Sequence, residues 1–261
     1  MASLRGRRAL VCGSTQGIGR ASAEALASEG AEIVLLARNA DRLSEVRDAL
    51  PRPTNGSHSF LVADFSDPAG VDRVVADYLA GHRPFHILVN NTGGPPPGLL
   101  LEATAAAFRA AFDMHLFCNH ALVQAVVPGM RAERYGRIVN IVSTSVREPI
   151  AGLGVSNTVR AATAGWAKTL SKELGPDGIT VNNILPGSTR TGRLEALIAS
   201  RARTGNLSAE AIERNMTAEI PLRRFAVAGE IAAAVAFLAS PAAAYITGVS
   251  LPVDGGRLAS F

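Results

Sequence analysis

Short apolar runs alternate with amphipathic stretches along the chain, and this alternation predicts the fold. The apolar runs predict strands at 9–12, 32–36, 60–63, 86–89, 137–142, 180–185 and 248–253. Apolar residues at a helical period predict helices at 18–29, 69–79, 105–132, 159–174 and 229–240. Strand–helix–strand repetition is typical of a parallel sheet with right-handed crossovers and helices on both faces. We therefore predict an α/β fold with a doubly wound parallel sheet of about seven strands.

The segment 189–221 is the least regular part of the pattern, because it is polar and rich in arginine. No long linker or repeat interrupts the sequence, which indicates a single domain over residues 1–261. In an open α/β sheet, an insertion near the carboxyl ends of the strands often covers the ligand crevice. We expect the segment 189–221 to be such a substrate-covering insertion.

Composition narrows the class of protein. Hydrophobic residues make up 48% of the chain and aromatic residues only 5%, so the core is built from Ala, Val, Leu and Ile. The formal net charge is +4, but the arginines are scattered and form no basic stripe interleaved with aromatic residues. We therefore expect no nucleic-acid partner.

The cysteines and the apolar runs argue against a disulfide-linked, metal-binding or membrane-spanning protein. Cys12 and Cys118 lie in apolar stretches and show neither disulfide nor metal-ligand spacing, so no metal site is expected. The N-terminus has no signal-peptide pattern, and no apolar run is long enough to cross a bilayer. We expect a soluble, cytoplasmic protein without a membrane partner.

A glycine-rich loop joins the first predicted strand to the first helix. Glycines allow a tight turn and a close approach of the backbone to a pyrophosphate, which the free N–H groups of the helix then bind. A tight turn without a ligand is the alternative, but a strand before and a helix after favour a Rossmann-type dinucleotide site. Its residues are Gly13, Ser14, Thr15, Gln16, Gly17, Ile18 and Gly19.

The end of the second strand indicates which dinucleotide binds. NAD-binding proteins place an acidic residue about twenty residues after the loop, to hold the ribose diol. Here the strand ends in Arg38 and Asn39, with no acid. The guanidinium of Arg38 suits a 2′-phosphate, although a solvated loop arginine is the alternative. The sequence favours NADP(H) over NAD(H).

These and later motifs resemble the short-chain dehydrogenase/reductase family over essentially the whole chain, in an outlying branch similar to the 3-oxoacyl-carrier-protein reductases. The further motifs are an acid after the third strand, Asn-Asn-x-Gly after the fourth, Pro-Gly with two following threonines, and a C-terminal Val-Asp-Gly-Gly. The resemblance implies cofactor contacts from Asp64, Phe65, Asn91, Thr92, Gly93, Pro186, Gly187, Thr189 and Thr191.

The resemblance breaks at the residues that carry the family's chemistry. That chemistry uses a Tyr to pass a proton, a Lys one helical turn later, a Ser that polarises the carbonyl, and an Asn that anchors a water relay. Ser143 stands at the Ser position, but Ser156 replaces the Tyr and Arg160 replaces the Lys. His115 stands where the family has Asn. We expect these four residues to form an atypical catalytic site.

The replacements change what the site can do. A serine hydroxyl is too weak an acid for the role of the Tyr, and Arg160 is always charged, though it could bind a ribose or orient an anionic substrate. His115 suits acid/base chemistry at neutral pH; a structural helix histidine is the alternative. Ser143 either polarises an oxygen or caps the strand end. No tyrosine is an obvious substitute, since all lie in segments away from the pocket: Tyr78, Tyr135 and Tyr245.

Three functions fit these residues. The first is an NADP(H)-dependent oxidoreductase with an atypical proton donor, acting on a small carbonyl or hydroxy compound, for which the family's acyl thioesters are an example. The second is a non-redox lyase or isomerase on the same scaffold. The third is a catalytically silent cofactor-binding protein. The first is favoured because the cofactor motifs are retained, and the resemblance also implies a homo-oligomer, a tetramer or a dimer.

Overall fold

The computed structural model describes residues 4–52 and 56–260. Its strands are β1 Arg8–Cys12, β2 Glu32–Ala37, β3 Ser59–Val62, β4 Ile87–Asn90, β5 Gly136–Ile141, β6 Ile179–Pro186, β7 Thr189–Arg190, β8 Ala226–Val227 and β9 Ser250–Val253. Its α-helices are α1 Gly17–Ser28, α2 Ala40–Ala49, α3 Pro68–Ala80, α4 Ala105–Phe112, α5 Cys118–Ala132, α6 Gly154–Leu174, α7 Gly192–Gly205, α8 Ala209–Ala218 and α9 Ala228–Ala239.

One parallel sheet forms the centre of the fold, in the strand order β3-β2-β1-β4-β5-β6-β9. Leu10 of β1 pairs with Val34 of β2 on one side and with Leu88 of β4 on the other. The chain therefore reverses its winding direction beside β1. The loops at the carboxyl ends of β1 and β4 diverge at this point and open a crevice between them.

Helices cover both faces of the sheet. On one face, α1, α2 and α9 bury residues such as Leu26 and Val235 against Leu35 of β2. On the other face, α3, α5 and α6 bury residues such as Leu122 against Val34. Val34 and Leu35 face opposite sides because side chains alternate along a strand, and each such buried side chain stabilises the fold by about 1.5–3 kcal/mol. Because both faces are covered, the strands read as continuous apolar runs.

The predicted fold class is confirmed, and each predicted strand of the main sheet is present. Two element predictions are wrong. The helix expected over 105–132 is interrupted by the π-helical turn Asp113–Phe117, which separates α4 from α5. The segment 189–221 is not irregular, because it forms β7, α7 and α8. Its apolar side chains form a separate small core together with Phe225, which follows the segment: Leu194, Ile198, Ile212, Met216 and Ile220.

Helix α2 was not predicted from the hydrophobic pattern. Half of its ten residues are charged, and only two of its side chains are buried, Leu43 and Val46. The start of α2 is fixed by a cap, because the Asn39 side chain accepts an N–H from the first turn of the helix. None of the helices in the described ranges is long and apolar enough to cross a membrane.

A row of hydrogen-bonded amides crosses four strands inside the sheet. The side-chain NH₂ of Asn90 donates to Asn140 (2.8 Å), that of Asn140 to Asn183 (3.0 Å), and that of Asn183 to the hydroxyl of Ser250 (3.1 Å). The three asparagines are 3% exposed or less. Neighbouring members of the row are paired in the sheet register, so the sheet itself brings the amides together.

We expect Asn140→Ala to destabilise the protein, because it leaves the amide of Asn90 without an acceptor and that of Asn183 without a donor. Each buried polar group left without a partner costs about 1–3 kcal/mol. Chemical denaturation should be measured for Asn140→Ala, for Asn183→Ala and for the double variant. We expect Asn183→Ala to lower the free energy of unfolding by less when Asn140 is already alanine.

The exposed Thr169→Ala on α6 is the matched control, expected to change stability by less than about 0.5 kcal/mol. Strictly additive effects of the two asparagine substitutions would contradict the row of amides.

Candidate active site

The phosphate loop follows β1 and turns into α1 through closely packed backbone. Gly13 and Gly17 have φ angles of 58° and 55°, in the left-handed region that favours glycine. A Cβ on Gly19 would lie 2.2 Å from the carbonyl oxygen of Gly13, and a Cβ on Gly13 would lie 2.6 Å from that of Asn91. Gly13 and Gly19 therefore bring the backbone of the loop and of Asn91 into close contact at the start of α1, whose first turn has no acidic residue. This backbone cradle fits a pyrophosphate.

The side chains of the loop contribute less than its backbone. Ser14 is fully buried, and its hydroxyl accepts the N–H of Leu36 at 3.1 Å. Only the backbone of Ser14 is therefore free to contact a ligand. Thr15 and Ile18 are half-buried, whereas Gln16 is exposed and its side chain does not cap α1.

The end of β2 presents a cation to solvent. The side chain of Arg38 is 78% exposed, and its guanidinium lies 4.0 Å from the carboxylate of Asp64, which follows β3. A hydrogen bond from the Ser66 N–H holds the pKa of Asp64 below its usual range. The adjoining residues face elsewhere, because the amide of Asn39 caps α2 and Phe65 is buried in the core. The side chain of Phe65 thus packs in the core, and the contact of Phe65 with the cofactor stays a prediction.

The end of β4 is tied to the phosphate loop. The side-chain NH₂ of Asn91 donates to the carbonyl oxygens of Cys12 (3.2 Å) and Gly13 (3.3 Å), so Asn91 supports the cradle from the side. Thr92 is half-buried and Gly93 is exposed. This places all three predicted residues at the crevice, with the asparagine in a structural role.

The turn after β6 closes the other side of the crevice. Pro186 and Gly187 are half-buried, and a Cβ on Gly187 would lie 2.7 Å from the Cα of Asp254. Thr189 is buried, with its hydroxyl on the carbonyl of Gly187. Thr191 reaches the phosphate loop, since a Cβ on Gly17 would lie 3.2 Å from its methyl carbon. The start of the segment 189–221 therefore crosses the carboxyl edge of the sheet.

Ser143 and Ser156 lie on the two sides of the loop between β5 and α6. Ser143 is half-buried, and its hydroxyl oxygen accepts the N–H of Ser145 at 3.0 Å, capping a short 3₁₀ turn. Its hydroxyl hydrogen is still available to donate. Ser156 is 6% exposed and belongs to the first turn of α6. Among the described residues, neither hydroxyl forms a hydrogen bond with an acidic side chain.

Arg160 lies one turn further along α6. Its Nη1 donates to the carbonyl of Ile141 at 2.7 Å, whereas its buried Nε has no partner in the described chain. Burial, followed by the charge of Arg193, lowers the pKa of Arg160 to about 10. The guanidinium is therefore still charged at neutral pH, and it holds a positive charge under the crevice.

His115 lies in the π-helical turn and is 3% exposed. Its Nδ1 shares a hydrogen bond of 2.7 Å with the hydroxyl of Thr92. Burial, followed by the charges of Arg160 and Arg193, lowers the pKa of His115 to about 2. The imidazole is therefore neutral near pH 7 and difficult to protonate. The lowered pKa favours the structural role of this histidine over acid/base chemistry, and its place in the catalytic site stays a prediction.

A small internal cavity lies between β4, β5, α5 and α6. Its volume is about 10 Å³, close to the least that holds one water molecule. Four buried polar atoms that line it have no hydrogen-bond partner in the described chain: Asn90 Oδ1, His115 Nε2, Asn119 Oδ1 and Arg160 Nε. A single water accepts two hydrogen bonds and donates two, so it matches these atoms when Arg160 Nε and His115 Nε2 are the donors and the two asparagine oxygens are the acceptors. Such a water would favour the neutral tautomer of His115 with Nε2–H directed to the water, while Nδ1 accepts the hydroxyl hydrogen of Thr92.

No tyrosine takes the place of the expected acid. The hydroxyl of Tyr78 bonds to Arg8 and Ser59, and that of Tyr135 to the carbonyl of Ala239. Tyr245 is fully exposed. In the described residues, no group of three or more His, Cys, Asp or Glu side chains is arranged to hold a metal ion.

Arg193 is the residue that sequence reasoning missed. It is the second residue of α7, and its guanidinium donates to the carbonyls of Gly94 (2.9 Å) and Pro95 (3.1 Å) across the crevice. No motif marks it, since it lies in a segment expected to be irregular. Its closeness to Arg160 and His115 arises only from the folded chain.

Comparisons with known proteins agree over almost the whole chain. The family model described as enoyl-(acyl carrier protein) reductase matches residues 13–257. The 3-oxoacyl-[acyl-carrier-protein] reductase of Escherichia coli (strain K12) is 35% identical over 254 residues, which cover 97% of this chain and 98% of that protein. The NADPH-dependent reductase BacG of Bacillus subtilis (strain 168) is 31% identical over 258 residues, with the same coverage of 97% and 98%.

A solved structure is also similar to this chain over almost its whole length. The crystal structure of L-sorbose reductase from Gluconobacter frateurii, complexed with NADPH and L-sorbose, superposes with a TM-score of 0.91. The two sequences are 32% identical, and the match covers 100% of this chain and 99% of that one.

The lowered pKa of His115 makes stability depend on pH. In the unfolded chain His115 binds a proton below about pH 6.5, whereas in the folded chain it does so only near pH 2. The contribution is therefore fully present above about pH 6.5 and is lost as the pH falls, by up to about 1.4 kcal/mol per pH unit.

Urea denaturation at about pH 7.5 and about pH 5.5 measures this effect. His115→Asn should remove it, and His120→Asn, at an exposed histidine of α5, should retain it. An equal loss of stability at the lower pH in the native protein and in His115→Asn would contradict the assignment.

Proposed function

The chain belongs to the short-chain dehydrogenase/reductase family, and on that premise we propose that it is an NADP(H)-dependent oxidoreductase of a carbonyl or hydroxy compound. The observation that carries the proposal is the glycine cradle at the start of α1, together with the exposed Arg38 at the end of β2. When bound, the nicotinamide supplies or accepts a hydride at the substrate carbon.

The described residues fit the cofactor along the crevice. The backbone of the phosphate loop would hold the pyrophosphate, and Arg38 would pair with the 2′-phosphate. The turn at Pro186 and Gly187, with Thr189 and Thr191, would border the nicotinamide. The relatives support the phosphorylated form of the cofactor, since BacG is named as NADPH-dependent and the sorbose reductase was solved with NADPH.

The chemistry differs from the family pattern in the group that supplies the proton. Ser156 and Arg160 take the positions of the Tyr and the Lys, and a neutral His115 cannot donate a proton near pH 7. We propose that Ser143 orients the substrate oxygen and that a water held by Ser143 and Ser156 delivers the proton. Water is a weaker acid than a tyrosine beside a cation, so turnover should be slow.

The relatives indicate only a broad class of substrate. One relative acts on 3-oxoacyl chains attached to a carrier protein, and another structure contains a ketose. We propose a small carbonyl compound, with an acyl thioester as one candidate. The segment 189–221 would cover it, because Thr191 contacts the phosphate loop and Arg193 bonds the loop at Gly94 and Pro95.

An oligomer is part of the proposal. Tyr245 is fully exposed and Val249 is 37% exposed in the C-terminal segment, and α6 exposes the small residues Ala161 and Gly165. Small outward residues allow helices to approach closely, and exposed apolar side chains favour contact with another copy. These surfaces support a homotetramer or a homodimer.

A catalytically silent cofactor-binding protein is the second candidate. The observation that favours it is the lack of a proton donor: among the described residues near Ser143, neither His115 nor Arg160 has a pKa suited to donating a proton near pH 7. The two functions differ in turnover and not in cofactor binding.

Titration with NADPH and NADH, followed by fluorescence, tests the cofactor assignment. Arg38→Ala should weaken NADPH binding by about tenfold or more, because it removes a charge-assisted hydrogen bond, and should leave NADH binding unchanged. Arg109→Ala, at an exposed arginine of α4, is the matched control. Failure of the native protein to bind either nucleotide would overturn the proposed function.

Restoring the family residues tests the chemistry. We expect Ser156→Tyr with Arg160→Lys to increase NADPH-dependent reduction of a carbonyl substrate by about tenfold or more, because a positioned acid contributes about 10²–10⁴. Ser156→Phe with Arg160→Lys is the control, since it adds the ring without the hydroxyl. Equal turnover in the two double variants would contradict the assigned positions, and zero turnover in the native protein would favour the silent candidate.

A further inference from the structure

Arg193 closes the mouth of the crevice from the side of α7. Its two terminal nitrogens bond the carbonyls of Gly94 and Pro95, so the guanidinium lies over the loop that follows β4. A Cβ on Gly94 would lie 2.5 Å from the guanidinium, and this loop position therefore has to be glycine for the arginine to lie there. Each terminal nitrogen has a second N–H that those two bonds do not use.

Arg160, on α6, provides a second guanidinium. Its Nη1 is held by the carbonyl of Ile141, and its Nε faces the small cavity beside His115. Its Nη2 forms no hydrogen bond within the part of the chain that the structure describes. Two arginines, from α6 and α7, therefore have N–H donors that the described chain does not use.

The two charges are not balanced by the protein. Over residues 4–52 and 56–260, neither guanidinium forms an ion pair with a carboxylate, and no acid contributes to the pKa shifts of Arg160, Arg193 or His115. Arg193 instead lowers the pKa of Arg160, and both lower that of His115. Like charges in a partly desolvated site are unfavourable unless an anion lies between them.

We propose that the substrate is an oxo acid, whose carboxylate binds between Arg193 and Arg160 while its carbonyl lies at Ser143. This inference rests on the proposed function and names its substrate class. A carboxylate has two oxygens, one for each guanidinium, and charge-assisted hydrogen bonds of this kind are stronger than those to a neutral ester. Arg193 is then a specificity-determining residue for the reaction.

Calorimetric titration with acetoacetate and with its neutral methyl ester tests the inference, with and without NADP⁺. Oxidised cofactor cannot reduce either ketone, so the measurement reports binding alone. We expect the acid to bind at least about tenfold more tightly than the ester. Arg193→Gln should remove most of that difference between acid and ester, and Arg203→Gln, at an exposed arginine of α7, should have no effect on it.

Equal binding of acid and ester would overturn the inference, as would no binding of the acid, or a preference for the acid that survives Arg193→Gln. Arg193-dependent binding of the acid without NADP⁺ would support the inference even if the nucleotide titrations failed. Conversely, tight NADPH binding without a preference for the acid would leave the proposed function standing and overturn the substrate class.

Discussion

The close contact of three backbone segments at the carboxyl edge of the sheet determines where everything else in the site can lie. Gly13, Gly19 and Asn91 approach so closely that a single Cβ on either glycine would meet backbone at 2.6 Å or less. The contact joins β1, α1 and β4, and the amide of Asn91 bonds it from the side. The N-terminus of α1 lies at this contact, so backbone N–H groups rather than charged side chains would hold the phosphate of the proposed cofactor.

Buried polar groups impose the next constraint. The amides of Asn90, Asn140 and Asn183 satisfy one another only because parallel register places them side by side in the sheet. At the crevice end of that row, Asn90 borders the small cavity that His115 and Arg160 also line. No group in the described chain pairs with the Oδ1 of Asn90, the Nε2 of His115 or the Nε of Arg160, so this end of the row has the polar groups to hold a water.

The electrostatics of the crevice follow from what surrounds it. Arg160 and Arg193 bring positive charge to the substrate position, and burial together with this charge keeps His115 neutral. An imidazole in such a place orients partners through hydrogen bonds and does not exchange protons near neutrality. The same charges that prevent His115 from acting as an acid make the crevice suited to an anion.

The sequence by itself determined the fold class, the strands and the phosphate loop, because hydrophobic periodicity and glycine spacing are local properties of the chain. It also located Arg38, Ser143, Ser156, Arg160 and His115 through the spacing of the motifs. Tertiary structure alone decided the surroundings of the site residues, since burial and neighbouring charge lower the pKa of His115 and the side chain of Phe65 packs in the core. Arg193 and the row of asparagines depend on contacts between distant segments, and no local pattern encodes such contacts.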